Sequence, residues 1–121
     1  MGALSVCQLL MMNDARFAWC ILVPRIAGLR ELHDIPKDKR ISVFDEIEAV
    51  STALAALVAP DKLNVAALGN QVPQLHIHVI ARHVNDSAWP APVWGSGAAL
   101  PYAGPTATDR VAKLARHLHL G

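Results

Sequence analysis

The sequence predicts an α+β protein with a largely antiparallel sheet. Two early apolar runs are joined by a short polar loop, one long segment has helical periodicity, and a later run alternates polar and apolar residues. The predicted elements follow one another in the order β-β-α-β-β-loop-α, with no internal repeat. Strands paired next to one another and helices kept apart from them are typical of the α+β class.

The first two predicted strands form a hairpin. Residues 4–12 (LSVCQLLMM) are apolar enough to predict a strand that is buried on both faces, and Asn and Asp in the NDAR stretch that follows favour a turn. Residues 17–24 (FAWCILVP) predict the second strand, which ends at Pro24. Two strands joined by so short a polar loop are expected to pair antiparallel.

One long amphipathic helix is predicted after a connector at residues 26–34. Asp34 and Pro36 favour a helix start, and Pro60 ends the helical pattern. The predicted buried face carries apolar residues at helical spacing: Val43, Phe44, Ile47, Val50, Leu54, Leu57 and Val58. The acidic residues expected mostly on the opposite face are Asp45, Glu46 and Glu48.

The second half of the chain begins with two further predicted strands. Residues 62–69 (KLNVAALG) predict the third strand, which ends at a Gly-Asn pair that favours a turn. Residues 74–82 predict the fourth strand. Pro73 suits the position just before it, because proline cannot donate a hydrogen bond inside a sheet.

An irregular segment and a short helix complete the predicted fold. Residues 85–105 are rich in proline and glycine and hold two of the three tryptophans, so no regular element is expected there. Residues 106–119 return to helical spacing. Thr106 or Thr108 is the expected cap of this helix.

Length and composition limit the class of protein. The 121 residues fit a single domain, placed at residues 1–121, and 53% hydrophobic residues suffice for a core. The net charge is +1 and no Lys/Arg cluster occurs, which argues against a nucleic acid polymer as partner but leaves a single nucleotide open as ligand. No apolar run approaches the roughly 18–20 residues that span a bilayer, so no membrane partner is expected.

The two cysteines indicate the expected compartment. Cys7 and Cys20 each lie inside an apolar run, and the sequence has no Cys-x-x-Cys pair and no secretory signal pattern. Buried free thiols in a reducing cytoplasm are the expected state, and a disulfide between adjacent strands is the alternative.

The fourth predicted strand carries the candidate site. Side chains two positions apart on a strand share a face, so Gln74, His76 and His78 are expected on one face together with Ile80. The apolar residues between them are expected to point into the core. The strand therefore presents two neighbouring imidazoles on a polar front.

Three interpretations of the paired imidazoles stay open at this point. As surface histidines they would be unusual, because exposed strand positions more often carry Lys, Glu or Thr. As metal ligands they lack a third and a fourth partner, since His83 is expected to face the other way and no Cys or Glu is close in sequence. In phosphoryl chemistry, one imidazole attacks phosphorus while its neighbour stabilises the phosphoryl oxygens or the leaving group.

A resemblance to the histidine triad (HIT) family favours the third interpretation. QLHIHV after GNQVP resembles the family pattern His-φ-His-φ-His-φ-φ, where φ is apolar, and Gly-Asn-Gln-Val at residues 69–72 stands where the family has Gly-Gln-x-Val. MMNDARFAWCILVPRIAGLRELHDI is similar to the family's strand–loop–strand and its connector to the main helix. The resemblance implies a HIT-like α+β domain with its core at about residues 4–95 and a C-terminal loop and helix at residues 96–121.

The resemblance implies catalytic roles for two histidines. His76 stands at the middle position of the triad, which is the family's nucleophile, and His78 stands at the third position, which contacts phosphate oxygens. Gln74 replaces the first histidine, so the chain resembles a branch with glutamine there, and any role that needs a titratable group at this position is lost. In the family, the nucleophile's second ring nitrogen donates to the backbone carbonyl of the first position, and Gln74 retains that carbonyl.

Several polar residues match family positions that hold the nucleotide. Asn70 stands where the family contacts the bridging phosphate oxygen, and Gln74 can offer its side-chain amide to phosphate. Asn13 stands where the family holds the ribose hydroxyls, with Asp14 as the alternative. Asn64 is a further candidate, for which an ordinary strand-edge residue is the alternative.

The tryptophans divide into two groups. Trp89 and Trp94 lie at the distance where family members have a Trp-Pro segment near the partner subunit's site, and a packed proline-rich loop is the alternative. Trp19 lies in the second predicted strand, where it is expected to be core or pocket wall.

These features predict a hydrolase or nucleotidyl transferase. It would act at the α-phosphorus of a nucleoside phosphate derivative, either a phosphoramidate or a dinucleoside polyphosphate, through a nucleotidyl-His76 intermediate. The chemistry needs no permanent metal or other cofactor, and the resemblance implies a homodimer. The alternatives are a HIT-like nucleotide-binding module with little or no turnover, a His-based metal-binding protein, and a purely structural partner protein.

Overall fold

The structure is a computed structural model that describes residues 2–120 and has the α+β architecture that the sequence predicts. A five-stranded antiparallel sheet has the order β1-β2-β3-β5-β4. The elements are β1 Gly2–Ala3, β2 Cys7–Met11, β3 Ala18–Pro24, α1 Lys37–Val58, β4 Lys62–Ala66, β5 Ile77–Arg82 and α2 Thr106–His117. None of the described helices is long and apolar enough to cross a membrane.

The first predicted strand, residues 4–12, begins too early, because residues 4–6 form a tight turn between β1 and β2. Leu4 N donates to Cys7 O at 2.8 Å, which reverses the chain so that β1 pairs with β2. The expectation that this strand is buried on both faces is wrong, because Leu10 is exposed while Leu9 is fully buried. The third and fourth predicted strands were too long: β4 ends at Ala66 and β5 begins at Ile77.

Helix α1 has the predicted extent but not entirely the predicted faces. Phe44, which was expected on the buried face, is 65% exposed, whereas Glu46, expected opposite, is buried. The Glu46 carboxylate accepts hydrogen bonds from the backbone N–H groups of Val6 (2.9 Å) and Cys7 (2.8 Å). A buried carboxylate is tolerated here because it satisfies the N–H groups of the β1–β2 turn.

The main core lies between the sheet and the two helices. Leu9, Leu22, Ile77 and Val79 of the sheet belong to one buried cluster, together with residues of α1 and α2. The paired imidazoles do not lie on this side of the sheet.

At the N-terminus of α2, the predicted threonine cap is absent, since Pro105 occupies the cap position and makes no side-chain hydrogen bond.

The other side of the sheet is covered by the irregular segment at residues 83–105. A second buried cluster contains Phe17, Trp19, Ile80 and Val93. The predicted alternation of β5 is therefore correct: its even-numbered residues share this side and its odd-numbered residues face the helices. Sheet pairing places the Cα of Ile21 opposite that of His78, which brings β3 side chains next to the histidines.

Candidate active site

His76 lies immediately before β5 and is fixed by a backbone contact. Its Nδ1 lies 2.7 Å from the carbonyl oxygen of Gln74, which is the hydrogen bond that the family resemblance implies. A carbonyl oxygen can only accept, so Nδ1 carries the proton. In the neutral ring the lone pair is then on Nε2.

His78 has the opposite ring arrangement. The indole Nε1 of Trp19 donates to His78 Nδ1 at 2.9 Å, so Nδ1 is the unprotonated nitrogen of this ring. His78 is only 4% exposed. Burial, and to a smaller extent the neighbouring His76, lowers the pKa of His78 to about 4, so the ring is neutral at physiological pH.

The two imidazoles share one cleft. Their ring centroids are 5.1 Å apart, and the Trp94 ring lies 5.0 Å from that of His78 in an edge-to-face arrangement. The cleft has a volume of about 440 Å³ and is lined by Leu68, Gly69, Asn70, Gln71, Val72, His76, His78, Trp94 and Gly95. A smaller cleft of about 240 Å³ also reaches His76, from the side of residues 30–33 and 67–69.

The loop that forms one wall of the larger cleft depends on a glycine. Gly69 has φ +77°, in the left-handed region where a side chain is strained. From this residue the chain turns back towards Val72 and into the histidine segment. The Gly-Asn pair thus places Asn70 at the cleft.

A buried ion pair anchors the opposite wall. Arg82, at the end of β5, donates from Nε and Nη2 to Asp86 at 2.8 and 3.0 Å, and from Nη2 to Ala91 O at 2.8 Å. Asp86 also accepts from the backbone N–H groups of Ala88 (3.0 Å) and Trp89 (2.8 Å). The Arg82 guanidinium holds the pKa of Asp86 well below its usual range. This network fixes the start of the segment that carries Trp94.

A second ion pair holds the end of the same segment. Asp14 pairs with Arg16 at 2.8 Å, and Arg16 Nη1 donates to Ser96 O at 3.1 Å. Asp14 also accepts from Leu100 N at 3.3 Å. The hydrogen bonds from Arg16 lower the pKa of the Asp14 carboxyl group. Residues 83–100 are therefore tied to the sheet at both ends.

The structure brings only part of the predicted site together. His76, His78, Asn70 and Trp94 line the larger cleft, while Gln74 contributes its backbone carbonyl and its side chain lines neither cleft.

The other four candidates lie outside both clefts that reach His76. The Asn13 side chain accepts from Tyr102 N at 2.9 Å, and Asp14 is engaged with Arg16. Asn64 accepts from Arg82 at 2.9 Å. The Trp89 ring lies 5.7 Å from the Arg82 guanidinium.

Two residues of the site were missed by sequence reasoning. Trp19 was expected to be core or pocket wall, yet it makes the hydrogen bond that fixes the His78 ring. Arg82 is almost fully buried, which was not expected because arginine side chains are mostly exposed. The detectable signal was periodicity, since Arg82 has the same parity as His76 and His78 on one strand.

The described residues offer no metal centre. Within residues 2–120, no group of three or more His, Cys, Asp or Glu side chains is close enough to hold an ion. His83 donates from Nε2 to Val58 O at 2.9 Å, on the helix side of the sheet.

The fold and the site together define the class of protein: an antiparallel α+β sheet that holds two imidazoles edge to face at the start of one strand. A family model described as HIT domain matches residues 3–85. The chain belongs to the HIT family, whose members generally bind or hydrolyse nucleotides. A search of curated proteins gave no match.

Solved structures of three bacterial histidine triad proteins are similar to the chain throughout. The protein of Bradyrhizobium japonicum is 40% identical, with a TM-score of 0.94 over 97% of this chain and 87% of that one. The protein of Sinorhizobium meliloti is 38% identical, with a TM-score of 0.93 over 97% and 87%. The protein of Marinobacter aquaeolei is 43% identical, with a TM-score of 0.93 over 98% and 86%.

Proposed function

We propose that the protein is a nucleotide hydrolase that acts at the α-phosphorus of a nucleoside phosphate derivative. His76 Nε2 attacks phosphorus, a P–N bond forms, and the bond to the leaving group breaks with its electron pair. Water then attacks the nucleotidyl-His76 intermediate, which releases the nucleoside monophosphate and returns the lone pair to Nε2. Phosphoramidates and dinucleoside polyphosphates are the two substrate classes that this route accommodates.

The hydrogen bond between His76 Nδ1 and Gln74 O carries this proposal. It leaves the lone pair of the neutral ring on Nε2 without a separate general base. His78 lies in the same cleft, where a donor can stabilise the phosphoryl oxygens in the transition state.

The two clefts that meet at His76 fit the two halves of such a substrate. In a displacement at phosphorus, the nucleophile and the leaving group lie on opposite sides of the reacting atom. The cleft of about 440 Å³ offers Trp94 as an aromatic surface for a nucleoside. The cleft of about 240 Å³ also reaches His76 and offers space for the other half of the substrate.

Rapid quenching followed by mass spectrometry tests the proposal directly. Protein mixed briefly with an adenosine phosphoramidate or a dinucleoside polyphosphate should gain the mass of one nucleotidyl group, on the peptide that contains His76. A modified peptide elsewhere, or turnover without any adduct under conditions that trap it in a known HIT hydrolase, would contradict the mechanism.

One observation favours a second candidate, a nucleotide-binding module with little or no turnover. The position of the first triad histidine holds Gln74, whose side chain lines neither cleft. Protein that binds a nucleoside monophosphate in calorimetry but neither forms the adduct nor hydrolyses a fluorogenic phosphoramidate would establish this candidate.

A homodimer is part of the proposal. Helix α1 exposes Ile41 (77%) and Phe44 (65%), and the edge strand β4 exposes Val65 (50%). Exposed apolar side chains on one helix and on a sheet edge favour an interface between copies of the chain. Light scattering at micromolar concentration should give the mass of a dimer, and Phe44→Asp should give a monomer. Thr108→Asp, at an exposed position of α2, is the control for the added charge, and a parent protein that is only monomeric would contradict the expectation.

The cysteines support the cytoplasm as the place where the protein acts. Cys7 and Cys20 are both free and fully buried. Thiols that persist unpaired are typical of proteins in reducing compartments. Fractionation of cells that carry the tagged full chain would test the location.

A further inference from the structure

We propose that Trp19 is a positioning residue that holds His78 in a single tautomer, with its proton on Nε2. This inference rests on the proposed function for its catalytic meaning, but the tautomer itself is a property of the unliganded chain. The indole N–H of Trp19 is only a donor, and it meets His78 Nδ1 at 2.9 Å. A proton on Nδ1 would point at the indole proton, so the contact excludes both the other neutral tautomer and the charged ring.

The indole is itself held in place by its aromatic neighbours. Trp19 is 6% exposed and packs edge-on against Trp94 at 5.8 Å between centroids, with an interplanar angle of 88°. Phe17 lies edge-on at 6.4 Å. The donor therefore cannot swing away from His78 without displacing the buried cluster.

The other nitrogen of His78 faces the cleft. Nε2 makes no hydrogen bond to a described residue, while no fully buried side-chain nitrogen in residues 2–120 lacks a partner. His78 lines the larger cleft, so its Nε2–H is open to a ligand there. Trp19 thus directs the single N–H of His78 towards the place where a phosphoryl oxygen would lie.

The surroundings of His78 contain few groups that would oppose this arrangement. His76 is the titratable neighbour, 5.1 Å away between ring centroids. The residues paired with His78 on the adjacent strands, Ile21 and Ala66, are apolar, and Trp94 is uncharged. The lowered pKa of His78 agrees with a ring that stays neutral.

A locked neutral ring limits what His78 does in catalysis. A neutral imidazole with Nε2–H donates a hydrogen bond to a phosphoryl oxygen, but it has no lone pair on that nitrogen to accept a proton. Loss of the Nε2 proton would leave an imidazolate, so His78 acts as a fixed donor to the oxyanion and not as a proton shuttle. Any acid limb of the pH–rate profile between pH 5 and 8 therefore belongs to another group.

Nitrogen NMR of the full chain tests the tautomer without any substrate. With ¹⁵N-labelled histidine, the parent protein should show His78 Nδ1 as an unprotonated nitrogen and Nε2 as a protonated one throughout pH 5–8. Trp19→Phe should show a mixture of tautomers at His78. Phe17→Leu and Trp94→Phe disturb the same cluster but keep the indole donor of Trp19, so they should retain the parent pattern.

Kinetics then separate positioning from packing. Loss of one hydrogen bond that orients the donor should lower kcat about 3- to 10-fold in Trp19→Phe, with KM little changed. If Trp19→Phe does not fold, the same readouts apply to a chain with β-(3-benzothienyl)alanine at position 19, which keeps the ring shape and replaces N–H by sulfur. A parent protein with His78 Nδ1 protonated, or a donor-free variant with one Nε2–H tautomer and parental kcat, would overturn the proposal. Absence of turnover in the parent would overturn the proposed function and leave the NMR result to decide this one.

Discussion

The two faces of the sheet are covered in different ways. On one face, helices α1 and α2 bury a large apolar cluster. On the other, the irregular segment at residues 83–105 covers a small cluster of four buried residues and depends on two buried or half-buried ion pairs, Arg82–Asp86 and Asp14–Arg16.

The difference follows from how each cover satisfies its backbone. A helix pairs its own N–H and C=O groups, so apolar side chains suffice to dock it. An irregular segment leaves backbone groups free, and here Asp86 and Arg82 pair with several of them. As a result, the irregular segment leaves open a cleft that contains the two imidazoles. A closely packed helix would have filled this space.

The largest expected effect is on the chemistry of the loop-covered face. His76→Ala should abolish turnover, because removal of the nucleophile from a covalent mechanism costs roughly 10⁶ in rate. Affinity for a nucleoside monophosphate should stay within about tenfold, since the nucleophile acts mainly in the transition state. Hydrolysis of a fluorogenic phosphoramidate and titration calorimetry measure the two quantities.

Substitutions at two other histidines accompany this experiment, and His83→Ala is its control. His83→Ala removes an imidazole that lies on the helix side of the sheet, against Val58 O, and should leave turnover at the parental rate. His78→Ala should lose less than His76→Ala, because one charge-assisted contact contributes about 1.5–3 kcal/mol. If His76→Ala hydrolyses the phosphoramidate as fast as the parent, His76 is not the nucleophile and the proposed mechanism is wrong.

The next effect separates stability from site geometry. Arg82→Met should destabilise the protein by roughly 3–5 kcal/mol, because it leaves the Asp86 carboxylate buried without its partner. Leu54→Ala, in the helix-covered core, should cost a similar 2–5 kcal/mol or so. Urea unfolding measures both. Only Arg82→Met should also weaken nucleotide binding in the fraction that remains folded, and equal binding by the two variants would remove the distinction between the faces.

Acid should weaken the same anchor. The pKa of Asp86 is lowered in the folded protein by Arg82, so its contribution to stability is present above the unfolded value of about 3.9 and is lost as pH falls further. Because the folded pKa lies well below the unfolded one, thermal unfolding followed from pH 5 down to pH 2 should show the first part of this loss in the parent. Asp86→Asn should start less stable and depend less on pH, and an identical pH slope would contradict the assignment.

A smaller effect concerns the tryptophans of the covering segment. Trp94 lines the cleft, whereas Trp89 stacks over Arg82. Addition of a nucleoside monophosphate should therefore change tryptophan fluorescence in the parent and in Trp89→Phe, but the change should shrink in Trp94→Phe. An unchanged signal in the parent, with binding confirmed by calorimetry, would make the segment a packed loop only.

The smallest effect is expected at the position that departs from the triad. Gln74→His should keep or raise activity, because His76 uses the backbone carbonyl of this residue, which the substitution does not alter. Steady-state hydrolysis of the phosphoramidate compares the two proteins. A folded Gln74→His protein that has lost nucleotide binding would show that the glutamine side chain itself belongs to the site.

The predictability of the fold mirrors the comparison of the two faces. The helix and the alternation of β5 were predictable because apolar burial leaves a periodic trace in sequence. The reversal of Phe44 and Glu46 was not, since the β1–β2 turn that needs the carboxylate is 39 and 40 residues away from Glu46. The turn at residues 4–6 was also missed, because Leu4 and Val6 are as apolar as the strand that follows them.

Within the candidate site, the residues next to one another in sequence were the easiest to find. Gln74, His76 and His78 lie on one short segment, and the motif alone points to them. The contact between Trp19 and His78 was not predictable in the same way. It depends on the pairing of β3 with β5, which the sequence of neither strand specifies alone. The proposed ribose contact at Asn13 remains a prediction, as does a nucleotide role for Asn64.

The buried cysteines have a practical consequence. Burial raises the pKa of Cys20 to about 12, and burial with the nearby Glu46 does the same for Cys7. At pH 8 only about one molecule in ten thousand would carry either thiolate, the form that alkylating reagents and peroxide attack. Modification must therefore wait until the sheet opens, so the rate at which iodoacetamide labels the native chain records how often its strands β2 and β3 come apart.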